Sequence, residues 1–250
     1  MHIYTKSKAQ ITAMREGGKI HAEIMQHLKQ NVKPGVFTED LNKIAETLMK
    51  KNRVISSFKG YKGFPKSICV NINEEIVHGI PSKKRVIQTG DLVKLDMGIY
   101  YKGMHTDAGV TVIVGEVSEI TRKLVEITRE CLYNAIAFAK DGILVNQIGK
   151  VVSETAHRAG FQVVRDLTGH GIGREMHEDP EVPNFFRKFD NTVLKSGMTI
   201  AIEPMINIGT WEICDTLDGW TIVTADDSLS AYWEHTVLIT ENGGEILTKL

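Results

Sequence analysis

Five residues of cation-binding types stand out in this chain: Asp96, Asp107, His170, Glu203 and Glu234. The four carboxylates lie in or beside apolar, strand-like runs such as Val93-Lys94-Leu95-Asp96-Met97 and Ile200-Ala201-Ile202-Glu203. A lone ionised carboxylate is costly to bury unless it is paired or bound to a metal. Two divalent cations would satisfy four acids at once. Carboxylate oxygens and an imidazole nitrogen suit manganese, iron, cobalt and zinc. Two such ions about 3.5–4 Å apart, bridged by carboxylates and leaving open positions, make the centre of a two-metal hydrolase. A closed thiolate site would be structural instead, and Cys69, Cys131 and Cys214 lack zinc-type spacing.

His170 sits in Leu167-Thr168-Gly169-His170-Gly171-Ile172-Gly173, where glycines let the backbone come close to a site. His78 ends the run Glu74-Glu75-Ile76-Val77, and His177 follows His170 in the same loop region. Both could donate hydrogen bonds to a substrate or a tetrahedral intermediate. From spacing alone, surface or capping histidines are the stronger reading of these two. Phe58, Tyr61, Phe64 and Trp220 could line an apolar pocket, although aromatics more often fill a core. Cys69 reads as a pocket contact or as a small buried residue. Lys83-Lys84-Arg85 reads as a solvated loop.

The elements that must hold these residues follow from periodicity. Ser7 to Leu28 reads as a helix, weakened by Gly17-Gly18, since glycine costs about 1 kcal/mol against alanine in a helix interior. A second helix starts at Thr38, which can cap it, with Glu39 and Asp40 in its first turn. Asp91–Tyr100 and Met104–Val114 read as strands about a turn at Lys102-Gly103. Thr121–Lys140 is a helix with Leu124, Ile127, Cys131, Ala135 and Phe138 inward. Asn146–Ala159 is another, capped by Asn146 and stopped by Gly160. Met198–Glu203 and Tyr232–Thr240 are late strands.

The two halves echo each other. Pro34-Gly35-Val36-Phe37 aligns with Asp141-Gly142-Ile143-Leu144, and Asp96 with Glu203, both at an offset of 107 residues. Asp107 meets Glu234 at an offset of 127, the extra residues falling around Gly209 to Ser228. The chain therefore reads as one catalytic domain over 1–250, with half-repeats of roughly 10–115 and 120–245. If the halves pack about a pseudo-two-fold axis, the four acids converge.

A chain of 250 residues fits a single large α/β unit. Its net charge of -1 gives no reason to expect direct nucleic-acid binding. No signal peptide or membrane span is expected, because no apolar run approaches about 18 residues. Three widely spaced cysteines suit a reducing, cytoplasmic setting.

At these residues the chain resembles the type I methionine aminopeptidase family. The resemblance runs through Gly60-Tyr61-Lys62-Gly63-Phe64-Pro65-Lys66-Ser67-Ile68-Cys69, His78-Gly79-Ile80-Pro81, Leu95-Asp96-Met97-Gly98, Gly169-His170-Gly171-Ile172-Gly173, Ile202-Glu203-Pro204-Met205 and Glu234-His235-Thr236. It implies the α/β "pita-bread" fold, a curved antiparallel sheet covered by helices with an internal two-fold repeat. It implies Asp96 as a ligand of one divalent ion, His170 and Glu203 as ligands of the other, and Asp107 and Glu234 as bridges. Glu203 would also shuttle the proton of a metal-bridging hydroxide that attacks the first peptide carbonyl. His177 would stabilise the intermediate, and His78 would contact the scissile amide. Phe58, Tyr61, Phe64, Cys69 and Trp220 would line the methionine pocket, with a cramped next position favouring small second residues. Asn73, Glu75 and Ser230 match positions that hold a monovalent cation in some relatives.

The resemblance further implies nascent polypeptide N-termini as substrates, proximity to the ribosome and a monomer. Two departures are Glu175 and Met176, where relatives commonly have glycine and an aromatic, and His105-Thr106 before the second acid also differs. The amino-terminal extensions of some relatives are not expected. Two alternatives compete: an Xaa-Pro peptidase of the same fold, and a non-catalytic binding module built on it. The first usually carries an extra amino-terminal domain, and the second often loses metal ligands.

Overall fold

The computed structural model describes residues 3–249. The first half opens with helix α1 (Lys8–Asn31) and α2 (Thr38–Asn52), then strands β1 (Ile55–Ser56), β2 (Cys69–Ile72) and β3 (Glu75–Val77). The long hairpin β4 (Leu92–Tyr101) and β5 (Met104–Ile113) closes it. The second half runs α3 (Glu119–Phe138), α4 (Val145–Arg158), β6 (Gln162–Val163), β7 (Thr168–Gly171), β8 (Glu178–Pro183), β9 (Thr199–Ile202) and β10 (Met205–Asn207). It ends with β11 (Ile213–Asp215), β12 (Ile222–Thr224), β13 (Ser230–Tyr232), β14 (Glu234–Ile239) and β15 (Gly244–Ile246).

All strand pairs are antiparallel, and the main sheet runs β1-β4-β5-β14-β9-β7-β8, with β2 also on β4 and β15 also on β14. The seam between halves is short: Glu234 pairs with Gly109 and His235 with Ala108. Strand β4 shows how one sequence serves two faces. Val93, Leu95, Met97 and Ile99 are fully buried in the cluster with Ile24, Leu28 and Leu41 of α1 and α2. Alternation then turns Lys94, Asp96 and Gly98 to the opposite face. A matching cluster joins α3 and α4 to β9 and β14 through Leu132, Ile148, Ile200 and Val237, and Trp233 packs against both. Each fully buried aliphatic side chain here stabilises by about 1.5–3 kcal/mol.

The repeat is written in the hydrogen bonds. Gly35 N donates to Ile87 O, and Gly142 N to Leu194 O. Thr38 N donates to Arg85 O, and Val145 N to Thr192 O. Phe37 bridges Val86 as Leu144 bridges Val193. Each residue stands 107 positions from its counterpart. The return strands depart from strict symmetry. Val114 O and Ile239 O, which receive Gly90 N and Gly197 N, are offset by 125, so Glu234 lies two residues nearer to Ile239 than Asp107 does to Val114.

Several sequence expectations need correction. Thr38 and Asn146 do not cap their helices; Phe37 and Leu144 hold the N-cap positions without side-chain bonds. Both polar side chains are drawn sideways instead. Thr38 Oγ1 exchanges bonds with the Ser82 backbone, and the Asn146 amide donates to Arg187 O and Asp190 O. The third helix starts at the Ser118 cap, and Phe138 at its end is 38% exposed rather than inward. The first late strand forms as β9 within its expected bounds, whereas the second is interrupted at Trp233, which divides it into β13 and β14. The first helix forms as expected, running through Gly17-Gly18, and a side chain at Gly18 would meet Leu247 O at 2.0 Å. Close packing offsets the propensity cost. Among the described residues no helix is long and apolar enough to cross a membrane.

Candidate metal centre and substrate pocket

The site is assembled from five strand ends or centres. Asp96 lies mid-β4 and Asp107 mid-β5, with His170 on β7. Glu203 follows β9, and Glu234 begins β14. Register explains why the first two share a face. Asp96 pairs with Gly109 and Asp107 with Gly98, so each acid stands across from a glycine. A side chain at Gly109 would strike the Tyr232 ring at 2.1 Å, and one at Gly98 would strike Phe58 at 2.8 Å. The glycines thus make room for one ring that supports Glu234 and another that walls the pocket. Glu234 pairs with the same Gly109 from the other side, which brings the third acid beside the first two.

His170 joins through the pairing of β7 with β9, where it stands opposite Ala201. Asp107, His170 and Glu234 each present a donor atom within 4.8 Å of the others. Glu203 Oε1 is 3.7 Å from His170 Nε2. The His170 tautomer is set by its neighbour. Nδ1 lies 2.9 Å from Gly171 O, an acceptor, so Nδ1 carries the proton and Nε2 keeps its lone pair for the centre. Burial lowers the His170 pKa to about 4, so the ring is neutral at pH 7.

Burial and mutual repulsion set the protonation of this cluster of acids. Burial, and then the Asp107 charge, raise Asp96 well above the usual carboxylate range. Burial and the charges of Asp107 and Asp96 do the same to Glu203. Glu234 is raised by burial and by Asp107, Glu203 and Asp96. Burial pushes Asp107 up to about 7. Asp96 Oδ1 and Asp107 Oδ1 are buried without a hydrogen-bond partner. Orphaned carboxylate oxygens beside a neutral imidazole lone pair form a donor set that fits divalent metal. Cys69 stands across from Asp96, and burial and that charge raise its thiol well above the usual range.

These side chains floor a pocket of about 420 Å³. Its apolar wall is a cluster of Phe58, Phe64, Cys69 and Met176, with Tyr61 and Trp220 packed against it. All five expected pocket residues come together. Met176, singled out in the sequence only as a departure, is part of the same wall. The ring centroids of Phe64 and Trp220 are 5.1 Å apart, edge to face. His177 stands over the centre, its ring centroid 4.2 Å from that of His170, with Nδ1 2.9 Å from the Tyr61 hydroxyl. Partial desolvation, then the neighbouring His170, lower its pKa. His78 faces the same pocket at the end of β3, with its pKa lowered by burial.

Sequence reasoning missed Tyr232. Its hydroxyl donates to Glu234 Oε2 at 2.5 Å from a fully buried position. The signal was present, since Tyr232 and Glu234 are two apart in an extended segment. It also missed Lys94, the cationic residue two positions before Asp96 in the largely apolar strand β4. The expected monovalent cation residues do not leave an open position. Asn73 O and Ser230 O both accept from Lys94 Nζ, at 2.6 and 2.9 Å. The Glu75 carboxylate instead takes Ile72 N and Arg85. Burial pulls the Lys94 pKa down to about 7, opposed by Glu75 and Glu74.

The comparisons with known proteins agree with this geometry. The profile of Metallopeptidase family M24 matches residues 12–241. A methionine aminopeptidase of Clostridium acetobutylicum is 46% identical over 246 residues, covering 98% of both chains. The crystal structure of methionine aminopeptidase from Thermotoga maritima superposes with a TM-score of 0.97 at 44% identity, covering 100% of both. A prolidase from Pyrococcus furiosus shares the fold at a TM-score of 0.80 and 27% identity, but only 65% of its chain is covered. The Xaa-Pro alternative is therefore not favoured, and the retained centre speaks against a non-catalytic module. The chain belongs to the methionine aminopeptidases of metallopeptidase family M24, enzymes that remove an N-terminal methionine in a metal-dependent reaction.

Proposed function

We propose that the centre holds two divalent ions, drawn from manganese, iron, cobalt and zinc, and releases methionine from nascent chains whose second residue is small. The observation that supports this reading is the convergence of four raised carboxylates and a neutral His170 at the floor of an apolar pocket. Asp96 would serve one ion, His170 and Glu203 the other, and Asp107 and Glu234 both. When bound, the ions supply Lewis-acid polarisation of the first carbonyl and an acidified water.

The protein's own groups do the rest. Phe58, Phe64, Cys69, Met176 and Trp220 take the methionine side chain and exclude water. Sulfur–aromatic contact favours a thioether over an isosteric alkyl chain. Glu203 carries a proton from the attacking water towards the leaving amine. Its carboxyl lies on the pocket floor beside Asp107 and Asp96, where burial and those charges favour its protonated form, and a carboxyl so placed can take and pass on a proton. His177, held by the Tyr61 hydroxyl, donates to the oxygen that becomes negative. His78 contacts the scissile amide from the end of β3.

Three free cysteines, one of them exposed, support a cytoplasmic setting. The same reading takes the enzyme as a monomer that meets its substrates near the ribosome. The test is a peptide panel of Met-Ala-Ser, Met-Lys-Ser and Ala-Pro-Ser with metal-loaded protein. Methionine release from Met-Ala-Ser alone is expected. Cleavage of Ala-Pro-Ser in its place would overturn the assignment.

A further inference from the structure

Lys94 is the one cationic residue on the site-facing side of the long hairpin β4–β5, and it is fully buried. Its ammonium is not matched to a carboxylate by an ion pair. It donates instead to two backbone carbonyls from opposite halves of the chain, Asn73 O at 2.6 Å and Ser230 O at 2.9 Å. Asn73 O also receives Ser230 N at 3.1 Å, so three segments meet at this point. Asn73 itself is in the left-handed region, with φ 56, which turns its carbonyl into the junction. Two carbonyl oxygens facing one buried positive charge are the coordination offered to a monovalent metal ion.

The position has a consequence for the metal centre. Across the ladder from Lys94 is Thr111, whose hydroxyl donates to Tyr232 O and accepts from Tyr232 N. Lys94 and Thr111 therefore clamp the two ends of β13 onto the hairpin. Between them they fix where Tyr232 stands, and the Tyr232 hydroxyl holds Glu234.

We propose that Lys94 is a positioning residue that acts as a built-in monovalent cation: its ammonium fills the carbonyl junction of Asn73 and Ser230 and thereby sets Tyr232 and Glu234 for divalent-metal binding. The proposal rests on the divalent-metal reading above. It implies that the wild-type protein needs no potassium or sodium, and that removing the ammonium opens a place for one.

The experiment is calorimetric titration of manganese into wild-type protein and Lys94→Met, at mildly acidic pH. It is run once in choline chloride and once in potassium or sodium chloride. In choline, Lys94→Met should bind manganese about 10-fold more weakly, the size of loss typical when a supporting group is removed. Potassium or sodium should restore most of that affinity, while the wild type responds to neither. Thr111→Val, which loosens β13 without opening a carbonyl site, should weaken binding without rescue. Unchanged affinity of Lys94→Met in choline, or a loss that no monovalent ion restores, would overturn the proposal. If Lys94→Met does not fold, Lys94→Gln carries the same comparison. Manganese affinity of the wild type that rises when potassium replaces choline would overturn it without any variant. Wild-type protein that binds no manganese would overturn the metal reading, and this proposal with it.

Discussion

The Tyr232 hydroxyl donates to Glu234 Oε2 at 2.5 Å, and both residues are almost completely buried. One oxygen of an acid in the centre is thus oriented by a phenol from the neighbouring strand. Such partners fix a carboxylate before a cation arrives. Tyr232→Phe removes the donor and keeps the ring that lies on Gly109. The expected result is a loss of divalent-metal affinity of about 10-fold with little change in thermal stability, read by calorimetry and thermal unfolding. Equal metal affinity would show that Glu234 needs no support.

Metal binding should release protons. Asp107 titrates at about 7 in the metal-free centre, and Asp96, Glu203 and Glu234 are raised well above their ordinary range. An incoming cation must displace the protons these groups hold. Affinity therefore climbs as pH rises through about 7. His170, at about 4, is already neutral there and adds nothing to the slope. Calorimetry of metal binding in buffers of different ionisation enthalpy at pH 6.5 reads the proton count directly. No proton release would contradict the shifted carboxyls.

Glu203→Gln should separate chemistry from folding. Glu203 is raised above its unfolded value, so the folded metal-free protein holds a proton that the unfolded chain gives up near pH 4.5. Its contribution is lost as pH rises from about 4.5 towards the folded pKa. Glutamine has no proton to lose. The metal-free variant should therefore melt higher than wild type at pH 7–8, with the difference shrinking towards pH 4.5. Turnover should fall by about 100-fold or more, because proton transfer is removed. A lower melting temperature at pH 8 would contradict the account of repulsion.

His177→Ala should leave metal affinity within a factor of about two and lower kcat by about 100-fold, the scale of a lost donor to a developing oxyanion. His177 touches Tyr61 and stacks near His170, yet it lies outside the acid cluster. A large loss of bound metal would instead make it a ligand.

Much of this was readable in the sequence, and the boundary of what was readable is physical. Asp96 and Glu203 could be found because a charge in an apolar strand conflicts with burial, and that conflict shows without coordinates. Lys94 shows the same conflict on the same strand. It passed unnoticed because its partners are backbone carbonyls from residues far away in sequence, which no side-chain pattern encodes. Short strands such as β7 and β8 were missed because Gly-rich and polar segments carry no alternation, and only their neighbours make them strands. The helix starts at Thr38 and Asn146 misled for a related reason. Each side chain had a better partner in a distant loop than in its own first turn. The histidines at 78 and 177 look like surface residues by spacing, and only the pocket gives them a purpose.

The most direct test of the account follows methionine release from Met-Ala-Ser while metal-free protein is titrated with manganese. The account predicts no release without metal and activity that saturates as two ions bind. Full release by the metal-free protein in the presence of a chelator would contradict it.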